Sequence, residues 1–204
     1  MIKTVQPIEI KVTNRIYGKG RGWVFTQKDF SDLGGYFAVR KALLNLVELQ
    51  FIRRIAQGLY EYPRKHKQLG QLPPSIDQVS QAIARKFEIR LQPAGAYAAN
   101  QLGLTEQVPG RYIFLTDGNS KLVKLSNAVI QFKKTTPRRM KVAGKISGLV
   151  FEALRSIGQQ QTTPQILSRL RNRLTADDYR RLQLDAHLAP AWIARIIRKE
   201  LALD

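Results

Sequence analysis

The residues of this chain that could carry covalent or metal chemistry are few and scattered. Its two histidines, His66 and His187, have no second ligand at metal-binding spacing. Asp177 and Asp178 are adjacent carboxylates. In "TADD", however, they follow Thr175, a residue type that caps helices, and acidic groups in a first helical turn face the positive end of the helix dipole. Asp117 stands alone in an Asp-Gly pair, whereas magnesium-dependent nuclease or nucleotidyltransferase chemistry needs clustered carboxylates. The chain has no cysteine, which excludes disulfides, thiolate metal sites and cysteine nucleophiles. "GKGRG" has the glycines of a phosphate loop without the Gly-Lys-Ser/Thr that opens a helix after a strand. Its Lys19 and Arg21 can approach a phosphate backbone or simply stay solvated. No catalytic, cofactor-binding or metal-binding residue is expected, and no cofactor.

Positive charge is the chemistry the sequence does supply. Thirty-four Lys and Arg stand against fifteen Asp and Glu, a formal charge of +19 that draws polyanions. Residues 1–74 hold 13 basic and 5 acidic side chains and residues 75–204 hold 21 and 10, so both halves are basic. Nucleic acid is the first partner to consider, ahead of an anionic membrane or an acidic protein. In "YFAVRKALLNLVEL" an inward stripe of Val39, Ala42, Leu43 and Leu46 leaves Tyr36, Phe37, Arg40 and Lys41 outward near the start of a helix, where residues reach base edges in a major groove. Arg40 or Lys41 can bond guanine, and Tyr36 can meet a phosphate or a thymine methyl. In "FIRRIAQGLYEYP" two short β-prone runs meet at Gln57-Gly58, which places Arg53, Arg54 and Gln57 at or near a projecting turn. Leu59 and Tyr60 anchor that ribbon. A second basic patch, Lys133, Lys134, Arg138, Arg139, Lys141 and Lys145, can touch DNA, touch an acidic protein, or remain a solvated junction.

These residues require elements to position them. Ile8, Val12 and Ile16 recur at helical spacing; "WVFT" is strand-like; "QKDFSDLGG" suits a short second helix and a turn; the third helix and the ribbon follow. This is the element order of a winged helix-turn-helix over residues 1–66. "PRKHKQLGQLPP" marks a linker at 67–74, and residues 75–204 form a mixed α/β domain. That domain opens on a helix with Ile76, Val79, Ile83 and Phe87 on one stripe. "RYIFLTDG" and "KLVKLSNAVIQFKKT" form strands around an Asp-Gly turn, and helices end the chain. The fold class is α+β. No apolar run approaches the roughly 20 residues needed to span a bilayer, and the N-terminus lacks a signal-peptide core, so a soluble, cytoplasmic protein without membrane partners is expected.

The blocks "GRGWVFTQKDF", "AVRKALLNLVELQFIRRIAQGLYEYP", "PAGAYAANQLGLTEQVPGRYIFLTDG" and "AVIQFKKTTPRR", in this order and spacing, resemble the DUF6088 proteins, relatives of the AbiEi antitoxins of type IV toxin–antitoxin systems. The resemblance implies an N-terminal winged helix that binds inverted repeats in double-stranded DNA of its own promoter. It also implies a C-terminal antitoxin domain and a nucleotidyltransferase-like toxin as functional counterpart, without a stable complex. The DNA-contacting elements then fall at Tyr36 to Lys41 and at Arg53 to Gln57. Two rivals share the charge. An RNA- or ribosome-associated protein would present aromatics on an open sheet, whereas Trp23, Phe25, Phe51 and Tyr60 fall where a winged-helix core needs them. A nucleic-acid-processing enzyme would need the carboxylates that Asp117 alone does not supply.

Overall fold

The apolar stripe Ile8, Val12 and Ile16 does form one helix face: α1 spans Ile8–Lys19, with Val12 and Ile16 fully buried. The computed structural model describes residues 7–201; the outermost residues of the two expected domains, 1–6 and 202–204, lie outside the described residues. After α1 come β1 (Val24–Phe25), a 3-10 turn (Gln27–Phe30) and α2 (Tyr36–Glu48). The expected short second helix is thus a single 3-10 turn. Asp29 closes it by accepting from the backbone N–H of Thr26 at 2.8 Å and from Thr26 Oγ1 at 3.1 Å. In α2 the buried residues are Val39, Ala42, Leu43 and Leu46, the stripe read from the helical period.

β2 (Arg53–Ala56) and β3 (Leu59–Glu61) follow as an antiparallel ribbon. Gln57 and Gly58 turn it, and Gly58 sits at φ +68°, a conformation that a two-residue hairpin turn requires and that glycine adopts without steric cost. β1 pairs with β3, so the sheet order is β1-β3-β2. Val12, Ile16, Phe25, Phe30, Leu43, Leu46, Ile52 and Tyr60 close one core between the helices and this sheet. Each such side chain contributes roughly 1.5–3 kcal/mol by leaving water.

Residues 64–72, where composition suggests a linker, instead fold back as a second ribbon of β4 (Lys65–His66) and β5 (Gly70–Gln71). α3 (Ile76–Phe87) then buries Val79, Ala82 and Ile83 against β1 and the 3-10 turn. Arg85 of α3 reaches Asp29 Oδ1 and the Val24 carbonyl, both at 2.8 Å. The first compact unit accordingly runs to Glu88 and takes in Lys124–Asn127, and the division falls beyond the 67–74 segment.

The second unit comprises residues 89–123 and 128–204. Its elements are β6 (Leu91–Ala94), α4 (Gly95–Gln101), β7 (Arg111–Thr116), β8 (Lys121–Lys124), β9 (Val129–Lys134), α5 (Pro137–Met140), α6 (Ile146–Ile157), α7 (Pro164–Arg171), α8 (Ala176–Asp185) and α9 (Ala191–Glu200). The sheet order is β6-β7-β9-β8, with β7 and β9 parallel. Strands do form on either side of Asp117-Gly118, as expected, but they are not partners in the sheet. Gly118 does not take the positive φ that a tight hairpin turn needs, and Asp117 is drawn away by Arg90, whose N–H and Nε both donate to it at 2.8 Å. α4 packs on α6, where a Cβ at Gly148 would collide with the Val142 carbonyl and Gln92 Oε1. Helices and sheet are mixed in both units, so the chain is an α and β protein. No helix among the described residues is long and apolar enough to cross a membrane.

Candidate nucleic-acid interface

The start of α2 is an unusual surface. Tyr36 is 63 % and Phe37 79 % exposed, their rings meeting edge-on at 5.4 Å, and large aromatics this open lack an intramolecular burial role. Arg40 and Lys41 are exposed beside them and form no ion pair among the described residues. Leu44, one turn on, is 42 % exposed. The first turn of α2 carries no acidic residue and no side-chain cap. Its backbone N–H groups and the helix dipole therefore add to the positive field.

The ribbon separates its two arginines. Neighbouring residues on a strand face opposite sides, and the register sets Arg53 against Glu61 and Arg54 against Tyr60. Glu61 is fully buried, and Arg53 Nε donates to its Oε2 at 2.7 Å. The same guanidinium donates to the Leu72 carbonyl and, at 3.3 Å, to Gln71 Oε1. Burial pushes the Glu61 carboxyl above its ordinary range, while the hydrogen bond and charge of Arg53 pull it back. Glu61 Oε1 accepts no hydrogen bond from the described residues. Arg53 is thus committed inward, whereas Arg54 is exposed and unpaired among the described residues and Gln57 is exposed at the turn.

The helix start and the ribbon turn come together. Tyr36 and Gly58 line one groove of about 680 Å³ with Gln27, Lys28, Lys86 and Phe87. Lys28 Nζ donates to Glu88 Oε1 at 2.6 Å, which lowers the Glu88 carboxyl below its ordinary range. The Lys86 amine forms no ion pair among the described residues; it stands 5.3 Å over the Phe87 ring and within 3.4 Å of the space a Cβ on Gly58 would fill. Sequence reading missed both lysines, because nothing in the period of α3 says which side of the chain it packs against. It also missed Arg64, Lys65 and Lys67, exposed on the second ribbon.

In the second unit the basic patch is only partly free. Arg139 donates to both oxygens of the buried Glu152, at 3.2 and 2.5 Å; Arg138 donates to the His187 carbonyl at 3.0 Å; Lys145 lies 3.7 Å from Asp185. The amines of Lys133, Lys134 and Lys141 are exposed without an ion pair among the described residues. The histidines serve local turns: His66 Nδ1 accepts from the N–H groups of Gln68 and Leu69 at 3.3 Å, and His187 Nδ1 lies 2.8 Å from the Leu184 carbonyl. Thr175 accepts from the Asp178 N–H at 3.3 Å, so "TADD" is a helix cap. Among the described residues no three His, Cys, Asp or Glu cluster so that they could hold a metal ion.

Residues 11–182 match the model of a family described as "Family of unknown function (DUF6088)". The chain belongs to DUF6088. All four sequence blocks that resemble DUF6088 proteins lie inside the matched residues, as do the exposed start of α2 and both ribbons; α9 lies beyond them. Among solved structures, the chain is similar to the RV2827C protein from Mycobacterium tuberculosis, at 14 % identity over 88 % of this chain and 72 % of that one, with a TM-score of 0.45. No curated protein matches the chain.

Proposed function

We propose that the first unit of this DUF6088 protein is a winged helix-turn-helix that binds duplex DNA upstream of its own gene, and that the chain is a non-enzymatic transcriptional autoregulator. One observation carries the reading: α2 and the β2-β3 turn flank a single groove, on a sheet ordered β1-β3-β2. An α-helix fits the major groove, and a ribbon beside it can follow the backbone. In this reading Arg40 and Lys41 address base edges, and Tyr36 and Phe37 pack on sugar or thymine methyl. Arg54, Gln57 and Lys86 meet phosphates, and Arg53 holds the ribbon from within. The burial of Phe25 and Tyr60, with Trp23 and Phe51 packed against the same core, supports DNA over an RNA-stacking sheet.

The resemblance to AbiEi proteins extends the proposal. The second unit would carry an antitoxin function, opposing a nucleotidyltransferase-like toxin without a lasting complex. The neighbouring open reading frame tests this part: a nucleotidyltransferase there supports it, and deletion of the present gene should then become toxic. The DNA reading is tested by a gel shift with upstream duplex against random duplex.

A further inference from the structure

The glycine loop after α1 and the second ribbon, far apart in sequence, meet in the structure. Arg21 Nη1 donates to the Pro63 carbonyl at 2.9 Å, and its guanidinium lies 4.6 Å over the Tyr62 ring. The Gly22 N–H donates to the Tyr62 carbonyl at 2.6 Å. The Arg64 side chain runs so close over Gly22 that its Cδ is 3.0 Å from where a Cβ would stand. Arg21 and Arg64 therefore lie beside each other at the base of the ribbon, with Lys19 two residues before Arg21 and Lys65 and Lys67 further along the ribbon. All five side chains are exposed. None makes an ion pair among the described residues, although Arg64 is near enough to Glu61 to help pull its carboxyl down.

The ribbon is held, not loose. The Leu72 N–H donates to the Arg64 carbonyl at 2.9 Å, His66 closes the tip, and Arg53, fixed by the buried Glu61, grips Gln71 and Leu72 from the adjoining strand. No Asp or Glu occurs in residues 10–28 or 62–76, so no like-signed group opposes an approaching anion from these segments. Five cations on anchored backbone, none in an ion pair among the described residues and the nearby Glu61 already paired with Arg53, match the spaced single charges of a phosphodiester chain.

We propose that Lys19, Arg21, Arg64, Lys65 and Lys67 form a second clamp that grips the DNA backbone flanking the sequence read by α2. The inference deepens the DNA reading and rests on it for the flanking position. It also gives Lys19 and Arg21 a role in which they orient the protein and carry no base preference.

The test uses the full chain and fluorescence anisotropy on three duplexes: upstream DNA with long flanks, the same site trimmed to the footprint, and random DNA. The variants are K65A/K67A and K19A/R21A, with K65R/K67R as the charge-preserving control and thermal melts to confirm folding. Each alanine pair should flatten the slope of log affinity against log salt by about 2 on every long duplex, since each phosphate contact contributes about 0.9. Base preference should be unchanged, and the arginine control should bind as wild type. Trimming the flanks should weaken wild type about 10-fold or more and weaken each alanine pair less, since each variant keeps three of the five cations. An unchanged slope in both alanine variants overturns the clamp. If wild type shows no preference for upstream DNA, the α2 reading fails separately, while the slope on random duplex still decides the clamp.

Discussion

Arg53 and Arg54 are adjacent, identical in type and equally suited by sequence to meet a phosphate, yet their replacement should have opposite consequences. Arg53→Ala strands the Glu61 carboxylate, whose side chain is 0 % exposed, and removes the donor to Leu72 and Gln71. Breaking a buried ion pair in this way typically costs 3–5 kcal/mol. The variant has an escape: Glu61 can take up a proton. Its ordinary pKa is 4.5, so holding it neutral at pH 7 costs at most about 3.4 kcal/mol, at 1.36 kcal/mol per pH unit over 2.5 units. The lost hydrogen bonds add about 1 kcal/mol that does not depend on pH. The sign follows from linkage. A carboxyl whose folded-state pKa lies above its unfolded value contributes its full share of stability below pH 4.5 and loses it as pH rises through the folded pKa. Glu61 is already raised in wild type, so the two proteins lose stability in parallel at first. The deficit of Arg53→Ala should be about 1 kcal/mol near pH 4.5 and grow, once pH passes the wild-type folded value, by up to about 1.4 kcal/mol per pH unit toward a plateau. Urea unfolding followed by Trp23 fluorescence, in a Trp192→Phe background, measures it. Arg54→Ala should change stability by less than about 0.5 kcal/mol at every pH and flatten the salt dependence of DNA binding by about one unit. A deficit in Arg53→Ala that does not vary between pH 4.5 and 7.5 would refute the assignment of Arg53 to the interior.

Other consequences can be measured independently. Arg40→Ala or Lys41→Ala should relax base preference at one operator position by about 1–3 kcal/mol, read by competition with single-substituted duplexes, while binding to random DNA changes little. Gly148→Ala should destabilise the second unit by about 1–3 kcal/mol or more, because its Cβ would strike the Val142 carbonyl and Gln92; a melt within 1 °C of wild type would contradict that packing. Asp32, bonded through both oxygens to Arg15 at 2.6 Å, should titrate at about 2, so its contribution is present above pH 3.8 and lost as pH falls through about 2. Carboxyl NMR on wild type and Arg15→Ala checks this, with the variant's midpoint moving back toward 3.8.

The sequence made periodic features legible and left register and partner choice hidden. The stripe Val39, Ala42, Leu43 and Leu46 was readable because a helix repeats every 3.6 residues, and the Gln57-Gly58 turn because few residue pairs close a two-residue hairpin. What divides Arg53 from Arg54 is a cross-strand partner eight residues away, which no local pattern announces. β4 and β5 have two residues each, too few for an alternation to register, so this segment, with its lysines and its flanking prolines Pro63, Pro73 and Pro74, reads as a linker. The stripe of α3 shows that it packs but not against what, and Lys86 went unseen for that reason. Asp117-Gly118 marked the break between two strands but not which strands pair, and the Arg90 contact to the aspartate comes from a residue distant in sequence. In the second basic patch, Arg139 looked like a free charge until Glu152 was found against it.

The proposed recognition of DNA is tested most directly by how the intact protein binds duplex DNA from upstream of its own gene, compared with random duplex of equal length at about 0.15 M salt. It predicts an affinity for the upstream duplex at least about 100-fold higher, falling toward the random value when Arg40 and Lys41 are both replaced by alanine. Equal affinity for the two duplexes would contradict it.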